Sequence, residues 1–120
     1  MRHFATVVIG GGAAGIMAAG GAASRRGNVL LCERMEKPQR KVRITGKGRC
    51  NLTNLCSEEE FLAKVRCGAD FFASALHRFN SEATMRFFEH IGVPLTVERG
   101  RRVFPSSGKA WDIADAHVGW

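Results

Sequence analysis

One stretch near the start of the chain restricts the possible folds more than any other. Ala5-Thr6-Val7-Val8-Ile9 is short, apolar and β-branched, and reads as a buried strand. Gly10-Gly11-Gly12-Ala13-Ala14-Gly15 follows with the spacing G-x-G-x-x-G. A helix-compatible run from Ile16 to Arg26 comes next, with Gly27 in the place of a helix stop. Asn28-Val29-Leu30-Leu31-Cys32-Glu33 is then a second buried strand that ends in a carboxylate. Strand, glycine turn, helix, strand and acid stand in the order of a dinucleotide-binding βαβ unit.

Each position in that unit has a physical task. Gly10 permits the tight turn out of the strand, Gly12 lets a pyrophosphate approach the backbone, and Gly15 lets helix and strands pack closely. N–H groups at the helix N-terminus face the phosphates, and the helix dipole adds favourable potential there. Glu33 would accept hydrogen bonds from the adenosine ribose hydroxyls, and its charge disfavours a 2′-phosphate, so NADP fits this place poorly. A Walker loop does not compete, because Ser107-Gly108-Lys109-Ala110 is preceded by Val103 where its first glycine belongs, and Ala110 replaces its Ser or Thr.

The same segment carries no charge from residue 5 to 24 and could pass for a signal peptide or a membrane span. Its glycines, at 10, 11, 12, 15, 20 and 21, leave too few large apolar side chains for either. The chain has 120 residues, enough for one domain, and its hydrophobic share of 45% excludes wholesale disorder.

The net charge of +7 points to an anionic partner. Much of it comes from Arg34, Lys37, Arg40, Lys41, Arg43, Lys47 and Arg49. Within this stretch, Ile44-Thr45-Gly46-Lys47-Gly48-Arg49-Cys50-Asn51-Leu52-Thr53-Asn54 reads as a loop rich in backbone donors, a candidate anion nest closing over cofactor phosphates. Nucleic-acid binding is disfavoured, because no aromatic side chains are interleaved for stacking. The cysteines at 32, 50, 56 and 67 form no C-x-x-C pair, and no histidine lies at zinc-finger spacing, so no metal site is expected. Cys32 and Cys50 read as buried free thiols, and the compartment as a reducing cytoplasm. A redox-active Cys50, its pKa lowered beside Arg49, is the lesser alternative.

The rest of the chain reads as support. Ser57-Glu58-Glu59-Glu60 is a capping box opening a helix that Gly68 closes. Two more helices are expected over Asp70–Phe79 and from Asn80 or Ser81 to Ile91, with Phe72, Phe79, Phe87 and Phe88 as core. Leu95–Glu98 and Arg101–Phe104 flank Arg99-Gly100 as a hairpin, and Ser106 or Ser107 caps a last helix through Lys109 to Val118. His77, His90 and His117 are expected on helix surfaces.

Taken together, Val8 to Gly15, Glu33, the string Ile44 to Asn54 and Gly100-Arg101-Arg102-Val103-Phe104-Pro105 make the chain similar to bacterial NAD(P)/FAD-dependent oxidoreductases, the aminoacetone oxidase family of FAD-binding enzymes. The resemblance runs from about residue 4 to about 116. It implies an α/β architecture: a Rossmann-like FAD/NAD(P)-binding βαβ unit with a basic glycine loop over 1–54, a helical segment over 55–92, and a hairpin with terminal helix over 93–120. Gly10, Gly12, Ala13, Ala14, Gly15 and Glu33 would hold the ADP half of FAD. Arg40 and Lys41, with Thr45, Gly46, Gly48, Arg49, Cys50 and Asn51, would lie near the pyrophosphate and the flavin. The flavin would carry the hydride chemistry, with NAD(P)H a candidate reductant, so no catalytic side chain is named.

Three positions depart from the family's pattern: Gln39 stands where glycine is usual, Arg43 where an aliphatic residue is usual, and Trp111 where a small one is usual. Family members are also much longer and carry a second glycine-rich flavin segment. The expectation is therefore an incomplete domain, with self-association through an open sheet edge. The alternative is a non-catalytic remnant acting as a basic nucleotide-binding or interaction module.

Overall fold

The structure is a computed structural model that describes residues 1–25 and 27–120. The chain begins with strand β1 (Thr6–Ile9), helix α1 (Ala13–Ala23) and strand β2 (Val29–Cys32). β1 and β2 pair in parallel, Thr6 against Val29 and Ile9 against Cys32, with α1 as the crossover. The α/β, Rossmann-like expectation holds here. The helix starts three residues before the expected Ile16 and ends at Ala23, with Ser24 as its cap; the expected end at Arg26 lies outside the described residues. Gly27 is not the residue after the cap, although its N–H donates to the Ala22 carbonyl at 3.3 Å.

Neither strand is buried as expected. Val7 is 54% and Ile9 88% exposed, and Cys32 is an exposed thiol. The physical reason is that the parallel sheet has only two strands among the described residues, so α1 covers one face and nothing covers the other.

After β2 the chain forms α2 (Arg40–Ile44), a tight turn over Thr45–Gly48, and β3 (Thr53–Asn54). The segment expected as one open loop is thus helix, turn and strand. Helix α3 (Glu58–Leu62) opens on the Ser57–Glu60 capping box as expected: Ser57 Oγ accepts from the Glu60 N–H at 3.1 Å, and Glu60 accepts from the Ser57 N–H at 2.9 Å. It closes at Ala63, well before Gly68, which instead begins α4 (Ala69–Arg78) with a left-handed φ of 76°. Asn80 caps α5 (Ser81–His90) by accepting from the Ala83 N–H at 3.0 Å.

The hairpin forms as expected, from β4 (Leu95–Glu98) and β5 (Arg102–Pro105). It joins β3 in a separate antiparallel sheet, ordered β3-β5-β4, and adds nothing to the parallel pair. Helix α6 (Ala110–Gly119) follows; Ser107 Oγ accepts the Lys109 N–H at 3.2 Å, one step ahead of the helix.

The core lies away from the parallel strands. Cys50, Phe88, Val93, Ala110 and Ile113 are buried together, with Val42, Leu52, Phe87 and Ile91 packed around them. Burial therefore joins α2, α5 and α6 to the small sheet. Of the phenylalanines expected in the core, Phe88 is buried, whereas Phe72 and Phe79 lie at the surface. Their rings meet other rings at the edge instead, Phe72 on Phe61 and Phe79 on Phe87.

Candidate functional site

The glycine turn between β1 and α1 is fixed from both sides. Gly10 has φ +101°, open to glycine at no steric cost, and its N–H donates to the Cys32 carbonyl at 2.7 Å. The Gly11 N–H donates to Glu33 Oε2 at 2.7 Å, and the Gly11 carbonyl accepts the Gln39 N–H at 2.7 Å. Both ends of the Gly11 residue are thus held by the segment that follows β2. A Cβ on Gly15 would lie 1.9 Å from the Gly10 carbonyl oxygen, so the helix can approach the turn only with glycine there. A Cβ on Gly12 would meet no atom within 4 Å. Gly12 therefore faces open space, where a ligand has room to reach the backbone.

Beside this turn is a hollow of about 490 Å³. Gly12, Ala13, Ala14 and Gly15 line it on one side, Glu33, Arg40 and Lys41 on the other. The first N–H groups of α1 have no intrahelical acceptor, and no side chain among the described residues caps that end. The hollow thus combines free backbone donors, the positive end of a helix dipole and a basic wall, an environment suited to a phosphate group.

Glu33 is already engaged. Its Oε1 accepts the Met35 N–H at 2.8 Å and its Oε2 the Gly11 N–H. The Met35 bond first, and then the Gly11 bond, hold its carboxyl below the usual carboxylate range. Each oxygen keeps a further lone pair, so a hydroxyl could still donate to it.

The second group of expected site residues is divided. Thr45, Cys50 and Asn51 line an adjoining cavity of about 270 Å³ together with Ala13, Gln39 and His117. Gly46, Gly48 and Arg49 line neither hollow. Arg49 turns to the antiparallel sheet, where its guanidinium pairs with both carboxylate oxygens of Glu98 and lies 4.4 Å from the Phe104 ring centroid. The Cys50 thiol is buried, and burial pushes its pKa up, opposite to the lowering that a reactive thiolate needs.

Two further residues line that cavity, neither expected as a site residue. His117 was expected on a helix surface but is 3% exposed, because Ala110, Ile113, Ala114 and His117 share the buried face of α6 at spacings of three and four. That spacing was the available signal. Its Nδ1 lies 2.7 Å from the Gln39 side-chain amide, and burial pushes its pKa down. Gln39, 2% exposed, holds the left-handed φ of 59° that a glycine would take without strain. Gln39 Oε1 and His117 Nε2 have no hydrogen-bond partner among the described residues.

The other two departures meet each other. The Arg43 guanidinium lies 4.5 Å from the Trp111 ring centroid, donates to Asp115 Oδ1 at 2.7 Å and to the Pro38 carbonyl at 3.1 Å.

A parallel βαβ crossover whose glycine turn meets a helix N-terminus, with an acid closing the second strand, is the arrangement of a Rossmann-like α/β domain. Comparison with known proteins gives the family. Residues 4–119 match the family described as HI0933-like protein Rossmann domain, and the chain belongs to this family of FAD-binding oxidoreductases. It is also similar to a 3-dehydro-bile acid delta(4,6)-reductase from Clostridium scindens, 38% identical over 89 residues, which are 72% of this chain. The chain spans about 20% of that relative's length. No helix among the described residues is long and apolar enough to cross a membrane.

Proposed function

We propose that this chain is the FAD-binding N-terminal portion of a flavin-dependent oxidoreductase, 1–54 forming the dinucleotide unit, 55–92 the helical segment and 93–120 the hairpin and terminal helix. The hollow beside the glycine turn carries this reading. It joins an uncapped helix N-terminus, an open approach at Gly12 and a basic wall, next to an acid on the second strand. In it the FAD pyrophosphate lies against the N–H groups of Ala13, Ala14 and Gly15, with Arg40 and Lys41 neutralising its charge. The adenosine ribose donates its hydroxyls to Glu33. Bound flavin supplies hydride transfer, for which NAD(P)H is the candidate reductant, and Thr45, Cys50 and Asn51 form a wall on the flavin side. The alternative, a nucleotide-binding remnant without turnover, uses the same turn.

The test is Gly12→Val in a full-length version of the protein. The added side chain enters empty space in the unliganded fold, so stability should be unchanged while the site for the pyrophosphate is filled. Loss of flavin from a variant that melts like the parent is the expected result. Parental flavin content would remove the turn from the cofactor site.

A further inference from the structure

Gln39 ties the glycine turn to the far end of the chain. Its backbone N–H donates to the Gly11 carbonyl at 2.7 Å, and its own carbonyl accepts the Arg43 N–H at 3.1 Å. Its side-chain amide N–H donates to His117 Nδ1 at 2.7 Å, so the neutral imidazole carries its proton on the other ring nitrogen. The imidazole is held in turn: it lies edge-on to Phe87 and Phe88, with centroids 5.7 and 5.4 Å away, and stacks on Trp120 at 6.2 Å. A line of contacts thus runs from the end of α6, through the Gln39 side chain, to the peptide between Gly11 and Gly12. Gly11 C=O and Gly12 N–H belong to one planar trans unit and point in opposite directions. Holding the carbonyl on Gln39 therefore sets the direction of the Gly12 N–H, which has no acceptor among the described residues and stands beside the first donors of α1. Arg40 and Lys41, which wall the hollow, leave directly from Gln39.

Gln39 does this in a left-handed conformation, φ 59°, which a non-glycine residue leaves readily unless something holds it. Two buried polar atoms, Gln39 Oε1 and His117 Nε2, stand unpartnered at the same contact among the described residues. Backbone strain and unmet polar atoms gathered at one place point to a role other than stability. We infer that His117 is a positioning residue for the diphosphate site: by accepting from the Gln39 side chain it holds the Gln39 backbone left-handed, and so aims the Gly12 N–H and places Arg40 and Lys41. The inference rests on the reading of the glycine turn as the diphosphate site, and adds to it a residue of α6 that touches no ligand. Without the acceptor on His117, Gln39 relaxes out of the left-handed region for much of the time. The competent turn is then less populated, and the apparent affinity for an anion falls by the same fraction. A glycine at 39 takes the same φ without an anchor, and so makes His117 dispensable to the turn.

The probe is inorganic pyrophosphate, titrated by calorimetry into the full chain at fixed ionic strength, with circular dichroism to establish that each variant is folded. His117→Phe keeps a ring among Phe87, Phe88 and Trp120 and removes the acceptor. Its affinity should fall roughly five- to tenfold, the occupancy that a left-handed residue loses without support. Gln39→Ala cuts the same link from the other side and should lose as much, which keeps the test open if one of the two fails to fold. His117→Gln, which can still accept from the Gln39 amide, should recover most of the loss. Gln39→Gly, and Gln39→Gly combined with His117→Phe, should both bind within about twofold of the parent. Exchange of the Gln39 backbone amide hydrogen should quicken in His117→Phe and return to the parental rate in His117→Gln. A histidine that only packs would lower the melting point and leave affinity and this exchange rate alone. Parental affinity in folded His117→Phe or Gln39→Ala, or an undiminished loss in the combined variant, would overturn the positioning role; if Gly12→Val still abolishes binding, the glycine turn stands as the diphosphate site. Pyrophosphate binding that survives Gly12→Val, or no binding by the parent, would overturn the turn and the positioning role together.

Discussion

At the residue scale, Gly12 and Gly15, in one turn of the same segment, make opposite predictions. A Cβ at Gly15 would overlap the Gly10 carbonyl oxygen, a backbone atom that cannot step aside without moving β1. Gly15→Ala should therefore lower the urea midpoint of the unliganded chain, whereas Gly12→Val should not. Equal midpoints for the two variants would show that the helix does not press on the turn. Gln39 and His117 form a coupled case. Each buried polar atom without a partner costs about 1–3 kcal/mol, and a left-handed non-glycine residue adds about 1–2 kcal/mol. Gln39→Gly alone strands the His117 ring, and His117→Leu alone strands the Gln39 amide. The double variant removes both, so it should be more stable than the sum of the singles and at least match the parent; additive losses would show that the two side chains are not coupled. The same histidine gives a pH dependence. Its folded pKa lies below the usual 6.5, so the unfolded chain takes the proton first and stability falls as pH drops below about 6.5. Glu60 acts at lower pH: the Arg101 guanidinium, with the Ser57 N–H, holds it at about 2, so its contribution is present above about 4.5 and is lost towards pH 2. His117→Leu should flatten the first decline and leave the second. Legibility at this scale follows chemistry. The roles of Gly10 and Gly15 were readable because backbone sterics are local. The pairing of Gln39 with His117 was not, because 78 residues separate them and only the packing of α6 on α2 brings them together.

At the scale of elements, the βαβ crossover, the capping box at Ser57 and the hairpin over 95–105 follow from patterns that are contiguous in the sequence, and all three form. The sheet partner of β5 was hidden, since Thr53–Asn54 is too short to show a strand period and acquires its structure by pairing with Arg102 and Val103. The end of α3 was misread for a similar reason: glycine after an apolar run signals a stop, yet Gly68 supplies the left-handed entry to α4. Contact between α1 and the end of α6 was equally invisible. Gly20 lies under Trp120, where an added Cβ would approach the indole ring to 2.2 Å. Trp120 also packs edge-on against Phe87, with ring centroids 4.8 Å apart. Gly20→Ala should favour α1 by roughly 1 kcal/mol of helix propensity while ejecting the indole. The two effects oppose each other, so the melting point should move little. The emission of Trp120, read in a Trp111→Phe background, should shift to the red. An unshifted spectrum would mean that the helix yields instead of the ring.

At the scale of the whole molecule, the radius of gyration is 15.3 Å, against about 14 Å for a compact chain of this length, and the longest extent of 52 Å is twice the shortest of 24 Å. The excess has a location. The core sits on α2, α5, α6 and the small sheet, while the parallel pair projects with one face bare and both edges unpaired among the described residues. Val7 and Ile9 on that face are half-exposed or more, and each forgoes a large part of the roughly 1.5–3 kcal/mol that full burial of such a side chain contributes. Losses at two or three positions are comparable with the lower end of domain stability, about 5 kcal/mol. Unpaired strand edges with apolar side chains are templates for pairing with another chain. Residues 1–120 expressed alone should therefore associate through β1 and β2 and should not purify yellow, since the glycine turn holds only the ADP half of the cofactor in the proposed reading. Placing a charge on the bare face, Ile9→Lys, should shift the chain towards monomer on size exclusion without lowering its unfolding midpoint, because Ile9 has little burial to lose. Chromatography with absorbance read near 450 nm measures both quantities at once. A monodisperse parent carrying stoichiometric flavin would overturn the prediction, and would place a complete FAD site on the 120 residues of this chain.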